Sequence, residues 1–203
     1  MKVLKNSLLA ILLLFCFSRC TVSKIYPVEY YTQNKDELHL LQGLFSKATE
    51  KKQIAIAFSD IDFHKLSIEF KTDTVKYIYD FSYGENRVND SLAKFGLDTV
   101  LLQKIITTMH SIKCSWINTL DYYFEGSKKI LLFMSAPVRQ FSLLPLLQKR
   151  KYYLFNFYEQ PQYYDEQGRL LDKKTLIRLR KVNNEVFWRI TDKVCYTISG
   201  KFR

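Results

Sequence analysis

Two carboxylates and an imidazole stand at alternate positions early in the chain, at Asp60, Asp62 and His64. If residues 54–64 form one extended strand, all three side chains project from the same face and lie within reach of one metal ion. Such a group would support a metal-dependent hydrolase. The competing interpretation is a polar turn before the next strand, because aspartate is common in turns.

Three arginines near the C-terminus form a second candidate site. A two-residue turn at Asn183 and Asn184 sets Arg178 opposite Arg189 and leaves Arg180 on the same outer face. Guanidinium groups hold carboxylates or phosphates in a bidentate fork, so the cluster predicts an anion-binding face. The alternative is that solvent and salt screen the repulsion between these charges.

Other enzymatic motifs are missing from the sequence. It has no Gly-x-Ser-x-Gly elbow, no phosphate-binding glycine loop, no His-Glu-x-x-His and no Cys-x-x-Cys. With six glycines and three histidines in 203 residues, few backbone cradles or general bases are available. We therefore predict no cofactor.

Four cysteines occur, and two of them, Cys16 and Cys20, lie near the N-terminus. The other two, Cys114 and Cys195, can form one disulfide in an oxidising compartment. The alternative is that both are free, buried thiols. Two cysteines are too few to show the regular spacing of a disulfide-rich fold.

The first 20 residues have the features of an export signal. Lys2 and Lys5 precede an uncharged run at residues 8–17, which at about ten residues is too short to span a bilayer as a helix. The run ends in Phe17-Ser18-Arg19-Cys20, which resembles the lipobox of bacterial lipoprotein precursors. In that family the cysteine is lipidated and becomes the new N-terminus, whereas Arg19 stands where the family has glycine or alanine.

The resemblance implies a protein of the bacterial cell envelope that is anchored in the membrane through a lipid on Cys20. Ordinary cleavage nearby would instead release a secreted or periplasmic protein. Three of the 31 basic residues leave with the signal, so 28 remain against 20 acidic ones. This balance favours an anionic envelope surface or another envelope protein as partner, and an exported chain is not expected to bind nucleic acid.

The remaining chain predicts one α+β domain over residues 34–203, preceded by a polar tether at 21–33. Apolar periodicity predicts two main helices, at 34–52 with Asn34 at its start and at 98–112 with Asp98 as N-cap. Alternating residues predict an antiparallel β-sheet, with a hairpin turning at Thr72 and Asp73 that pairs Phe70 with Val75. Further strands are predicted at 54–58, 116–124, 129–135, 152–158, 176–182, 185–190 and 194–199.

These patterns together favour a non-enzymatic binding or structural role in the envelope. The alternative is an envelope-acting hydrolase or metal-dependent enzyme that uses Asp60, Asp62 and His64. The two classes differ in geometry, because the enzyme requires those three side chains to converge.

Overall fold

The computed structural model describes residues 19–50, 52–71, 74–138, 150–172 and 177–201. These residues form four helices, α1 Arg19–Gln33, α2 Lys35–Thr49, α3 Arg87–Ala93 and α4 Thr99–Ser111. They also form ten strands, β1 Gln53–Phe58, β2 Lys65–Lys71, β3 Lys76–Ser82, β4 Trp116–Phe124, β5 Ser127–Pro137, β6 Tyr152–Phe157, β7 Lys181–Val182, β8 Glu185–Val186, β9 Trp188–Arg189 and β10 Val194–Ser199. The uncharged run at 8–17 lies outside the described residues.

Eight of these strands form one sheet in the order β3-β2-β1-β4-β5-β6-β10-β9. Every neighbouring pair in it is antiparallel. The short strands β7 and β8 pair separately. The predicted α+β class with an antiparallel sheet is confirmed.

One face of the sheet, which we call the helix face, packs against α2 and α4. His39 of α2 meets Phe157 of β6 edge-on, and His110 of α4 meets Phe58 of β1 in the same way. The apolar stripes of the two helices are buried, as their 3.6-residue period predicts. Their buried residues are Leu38, Leu41 and Phe45 in α2 and Leu102, Ile105, Ile106 and Met109 in α4.

The opposite face is covered over only part of its width. Trp116, Phe133 and Leu154 project from it and pack with Leu170 and Phe187, which come from the chain between β6 and β10. We call residues 158–172 and 177–190 the cover. Beside it, the same face of β1, β2 and β3 borders an open groove.

Two local predictions agree closely with the structure. The Asp98 carboxylate accepts a hydrogen bond from the Leu101 N–H at 2.9 Å and caps α4, which ends at Ser111. The predicted hairpin of β4 and β5 also forms, but its turn, expected around Gly126 and Ser127, lies one residue earlier at Glu125 and Gly126, whose φ angles of 52° and 77° are typical of a two-residue turn.

The first hairpin forms with a different register. Phe70 pairs with Tyr77 and not with Val75, so the predicted register is wrong by two residues. The predicted turn residues Thr72 and Asp73 lie outside the described residues. Two-residue turns need left-handed φ angles, which threonine tolerates poorly, so the sequence itself argues against the predicted two-residue turn. An even shift keeps each side chain on its predicted face.

Residues 21–33, expected to be a tether without regular structure, fall within α1. The helix contains Pro27, which cannot donate a backbone hydrogen bond. On the following turn, the Thr32 hydroxyl donates to the Val28 carbonyl at 2.8 Å, and the Gln33 side-chain amide donates to the Glu29 carboxylate at 3.2 Å. The chain divides into two units at Lys35, the first containing α1 and the second residues 36–203.

The C-terminal hairpin begins in the predicted register and then departs from it. Val182 pairs with Glu185, and Asn183 and Asn184 both have left-handed φ angles, of 52° and 65°. Only two residue pairs form before the strands separate. The long strands predicted at 176–182 and 185–190 are therefore wrong within the described residues, where three two-residue strands stand in their place.

Candidate functional site

The predicted Asp60, Asp62 and His64 group does not lie on one extended strand. Strand β1 ends at Phe58, and the chain then turns, with Phe63 in the left-handed region at φ 60°. The alternate spacing therefore does not place the three side chains on one strand face. The interpretation of these positions as a polar turn agrees with this geometry.

Asp60 stabilises that turn through its own carboxylate. It accepts hydrogen bonds from the backbone N–H groups of His64, at 3.0 Å, and Lys65, at 2.8 Å. Burial acts to raise the pKa of the Asp60 carboxyl, but these donors more than offset that effect and hold the pKa below its ordinary value. Across the part of the chain that the structure describes, no three His, Cys, Asp or Glu side chains are grouped closely enough to hold a metal ion.

His110 lies behind this turn. Its ring stacks on Tyr83 with centroids 4.1 Å apart and meets Phe63 edge-on. Burial, together with the positive charges of Lys113 and His64, lowers the pKa of the imidazole. His110 therefore serves as part of an aromatic cluster that holds the turn against α4.

In the second candidate site, the segment from Gly168 to Asp172 lies between Arg189 on one side and Arg178 and Arg180 on the other. Leu171 bridges to Leu179 on one side, while Arg169 bridges to Trp188 on the other. The predicted opposition of Arg178 and Arg189 is therefore wrong, because another segment occupies the space between their strands. A local two-residue turn could not reveal this insertion.

Each of two arginines has its own contacts. Arg180 donates to the Gln162 side chain at 3.1 Å and lies over the Tyr122 ring, with 5.0 Å between guanidinium carbon and ring centroid. Arg189 pairs with Asp192 at 2.6 Å. Anion binding by Arg178, Arg180 and Arg189 stays a prediction, without the shared strand pairing on which it was based.

Cys114 and Cys195 are both free, fully buried thiols. Burial raises the pKa of each to about 12, so neither is a thiolate at neutral pH. Cys195 lies beneath the cover beside the side chains of Asn156 and Tyr158. Both amide atoms of Asn156 and the Tyr158 hydroxyl are buried without a hydrogen-bond partner of good geometry.

The open groove beside the cover is the strongest candidate binding site. Strand β1 contributes only small residues to it, Ala57 and the following Ser59, so this part of the sheet face is concave. The groove has a volume of about 560 Å³. Its remaining walls come from β2, β3 and the start of α3: Lys65, Ser67, Glu69, Ile78, Asp80, Phe81, Ser82, Glu85 and Arg87.

Most charges in the groove are paired, and two are not. Glu69 pairs with Lys76 at 2.7 Å, and Glu85 pairs with Arg87. Lys65 and Asp80 occupy neighbouring strands, yet neither side chain has an ion-pair or hydrogen-bond partner among the described residues. The groove thus presents one free ammonium and one free carboxylate to an incoming ligand.

The comparisons with known proteins give no family. No protein-family model matches the chain, and neither a curated protein nor a solved structure is detectably similar to it. None of the helices in the described residues is long and apolar enough to cross a membrane. The groove was not predicted from the sequence, although the small residues of β1 opposite polar residues of β2 are a signal that could have indicated it.

Proposed function

We propose that the chain is an exported protein of the bacterial cell envelope, anchored through a lipid on Cys20, with a non-enzymatic binding role. The location is supported by the N-terminal sequence, in which a basic start and an uncharged run precede the lipobox-like Phe17-Ser18-Arg19-Cys20. The basic mature chain favours anionic partners.

The observation that most strongly supports the binding role is that the Lys65 ammonium lies in the open groove without an ion-pair or hydrogen-bond partner among the described residues. A lysine ammonium has three donors and forms charge-assisted bonds with carboxylates and phosphates. The Asp80 carboxylate nearby can accept hydrogen bonds from hydroxyl groups. This combination suits an acidic, hydroxyl-rich ligand such as an anionic envelope polysaccharide.

Three of the candidate reactive groups from the sequence, and His110 beside them, are engaged in holding the fold together. Asp60 caps a turn, both Cys114 and Cys195 are buried, and the His110 ring stacks in an aromatic cluster. Function must be argued from a site, and these contacts support a binding role over the hydrolase alternative.

Anchoring is tested by intact-mass analysis of the full chain extracted from bacterial membranes. We expect an N-terminus at residue 20 that carries a diacyl or triacyl adduct. Cys20→Ser should abolish the adduct and move the protein out of the membrane fraction. A wild-type protein that retains Met1, or that begins elsewhere without lipid, would disprove the anchor and leave the groove unaffected.

The groove is tested with polygalacturonate as the ligand and calorimetry as the readout. We expect binding at low salt that falls about tenfold or more in Lys65→Ala. Lys104→Ala is the matched control, because it removes the same charge from an exposed position on α4. Equal loss in both variants would point to net charge, and binding of phosphatidylglycerol vesicles alone would reassign the partner to lipid.

A further inference from the structure

Strand β3 forms one edge of the eight-stranded sheet. Among the described residues it pairs only with β2, and its seven residues do so without a bulge or a proline. Edge strands present unpaired N–H and C=O groups, and soluble proteins commonly shorten, kink or cover them. A long, regular edge is therefore a template for another strand.

The outward-facing backbone groups of β3 can be assigned from its pairing with β2. The Tyr83 N–H donates to the His64 carbonyl at 2.7 Å, toward β2. Because backbone direction alternates along a strand, residues 77, 79 and 81 also face β2. Lys76, Ile78 and Asp80 therefore direct their backbone groups away from the sheet.

The side chains of β3 are complementary to a second copy of the same strand. A two-fold axis perpendicular to the sheet at Ile78 pairs the strands antiparallel, with Ile78 opposite Ile78. The same register sets Lys76 of each copy opposite Asp80 of the other. It also sets Val75, which directly precedes β3, opposite Phe81 of the other copy. Apolar residues therefore pair with apolar residues, and residues of opposite charge pair with each other.

We propose that two copies of this chain pair through β3 in this register and form one continuous antiparallel sheet. The arrangement explains two features of the single chain. Ile78 is 55% exposed although it is large and apolar, and it would be covered by its counterpart. Asp80, whose side chain has no ion-pair or hydrogen-bond partner among the described residues, would gain the Lys76 ammonium of the second copy.

Neighbouring registers do not set apolar residues opposite apolar residues and lysine opposite aspartate at the same time. Centring the axis at Tyr79 sets Ile78 opposite Asp80, and centring it at Asp80 sets two carboxylates against each other. Like charges directly opposed across strands are destabilising. Lys76 already binds Glu69 at 2.7 Å, and its three donors allow it to serve both carboxylates.

The test exploits the reciprocal Lys76 and Asp80 pairs in the full chain. Sedimentation velocity should show a dimer for the wild type at micromolar concentration. Lys76→Asp alone opposes two carboxylates, and Asp80→Lys alone opposes two lysines, so each variant should weaken dimerisation about tenfold or more. An equimolar mixture of the two variants restores opposite charges at both pairs and should recover a dimer.

Two further variants locate the interface. Ile78→Lys places two lysines at the axis and should produce a monomer with unchanged circular dichroism. Tyr123→Lys is the matched control, because Tyr123 is 74% exposed on β4, and it should leave the dimer intact. A wild-type monomer at about 100 μM, or a mixture that stays monomeric while both variants are folded, would overturn the proposal; so would a dimer that survives Ile78→Lys.

Discussion

The two ends of one sheet face differ in the polar side chains that they contain. In the open groove, Lys65 and Asp80 are charged and face solvent. Under the cover, Asn156 and Tyr158 are neutral and buried, and among the described residues their side-chain polar atoms form no hydrogen bond of good geometry. Charges can remain at the open end because water solvates them, whereas an unpaired charge under the cover would cost far more than an unpaired amide.

The difference between the two ends arises from the cover and not from the strands. Leu170 and Phe187 close the β5, β6 and β10 end of the face, and the cover stops short of β2 and β3. On this sheet face, the groove among the described residues lies at the end where small β1 residues leave space. The following predictions test this division, from the largest effect to the smallest.

Removing the main contact of the cover should have the largest effect. Phe187 is fully buried in the apolar cluster, so Phe187→Ala should cost about 3–5 kcal/mol in the free energy of unfolding. Urea unfolding measures the change. Ile177→Ala, at an 89% exposed position in the same region, should stay within about 0.5 kcal/mol. A cost below about 1 kcal/mol for Phe187→Ala would show that the cover is not held by this contact.

Replacing the buried amide should stabilise the protein. Among the described residues, the two side-chain polar atoms of Asn156 are buried beside the Tyr158 hydroxyl and the Cys195 thiol without a hydrogen bond of good geometry, so Asn156→Leu removes their desolvation penalty at similar volume. We expect a gain of about 1–3 kcal/mol, measured by urea unfolding. Asn156→Asp, which buries a charge, should destabilise the fold; a loss of stability in Asn156→Leu would mean that the amide is satisfied in solution.

The turn at the open end should make stability depend on pH. The pKa of His110 is lowered in the folded chain, so below the unfolded value of 6.5 the unfolded state binds more protons. Stability should therefore fall as the pH drops from about 7.5 to 5.5 and level off below the folded pKa. His110→Phe should reduce this slope while keeping the aromatic contacts. Equal slopes in both proteins would contradict the assignment.

A substitution in the groove itself should have the smallest effect on stability. Lys65→Ala removes a charge that has no ion-pair or hydrogen-bond partner among the described residues, so it should change the free energy of unfolding by less than about 0.5 kcal/mol. Thermal unfolding of the variant checks this at one protein concentration. A cost above about 1 kcal/mol would mean that the Lys65 side chain is a structural element of the fold.

Several features of the fold could be predicted because their causes are local. Asp98 lies next to the helix it caps, and the β4–β5 hairpin turns where Gly126 permits a left-handed backbone. Strand β10 matches its predicted bounds because its apolar residues are bracketed by turn residues. Each of these signals acts over a few residues and needs no knowledge of distant partners.

The candidate sites depended on distant contacts and were predicted less well. Spacing suggested one face for Asp60, Asp62 and His64, but β1 ends before them. A local turn suggested that Arg178 opposes Arg189, but residues 168–172 lie between their strands. Alternation specifies which face a residue takes, and it does not specify which strand lies beside it.

The sequence by itself determined the α+β class, the helical and strand periods, the basic charge and the lipobox-like N-terminal pattern. Tertiary structure alone decided the strand order, the extent of the cover and the groove that Lys65 and Asp80 share. The physical reason is that the periods and caps are set by neighbouring residues, whereas a cavity is set by where packing stops. Packing stops beside β1, where Ala57 is the small residue at the border of the buried cluster and the exposed Ser59 follows it.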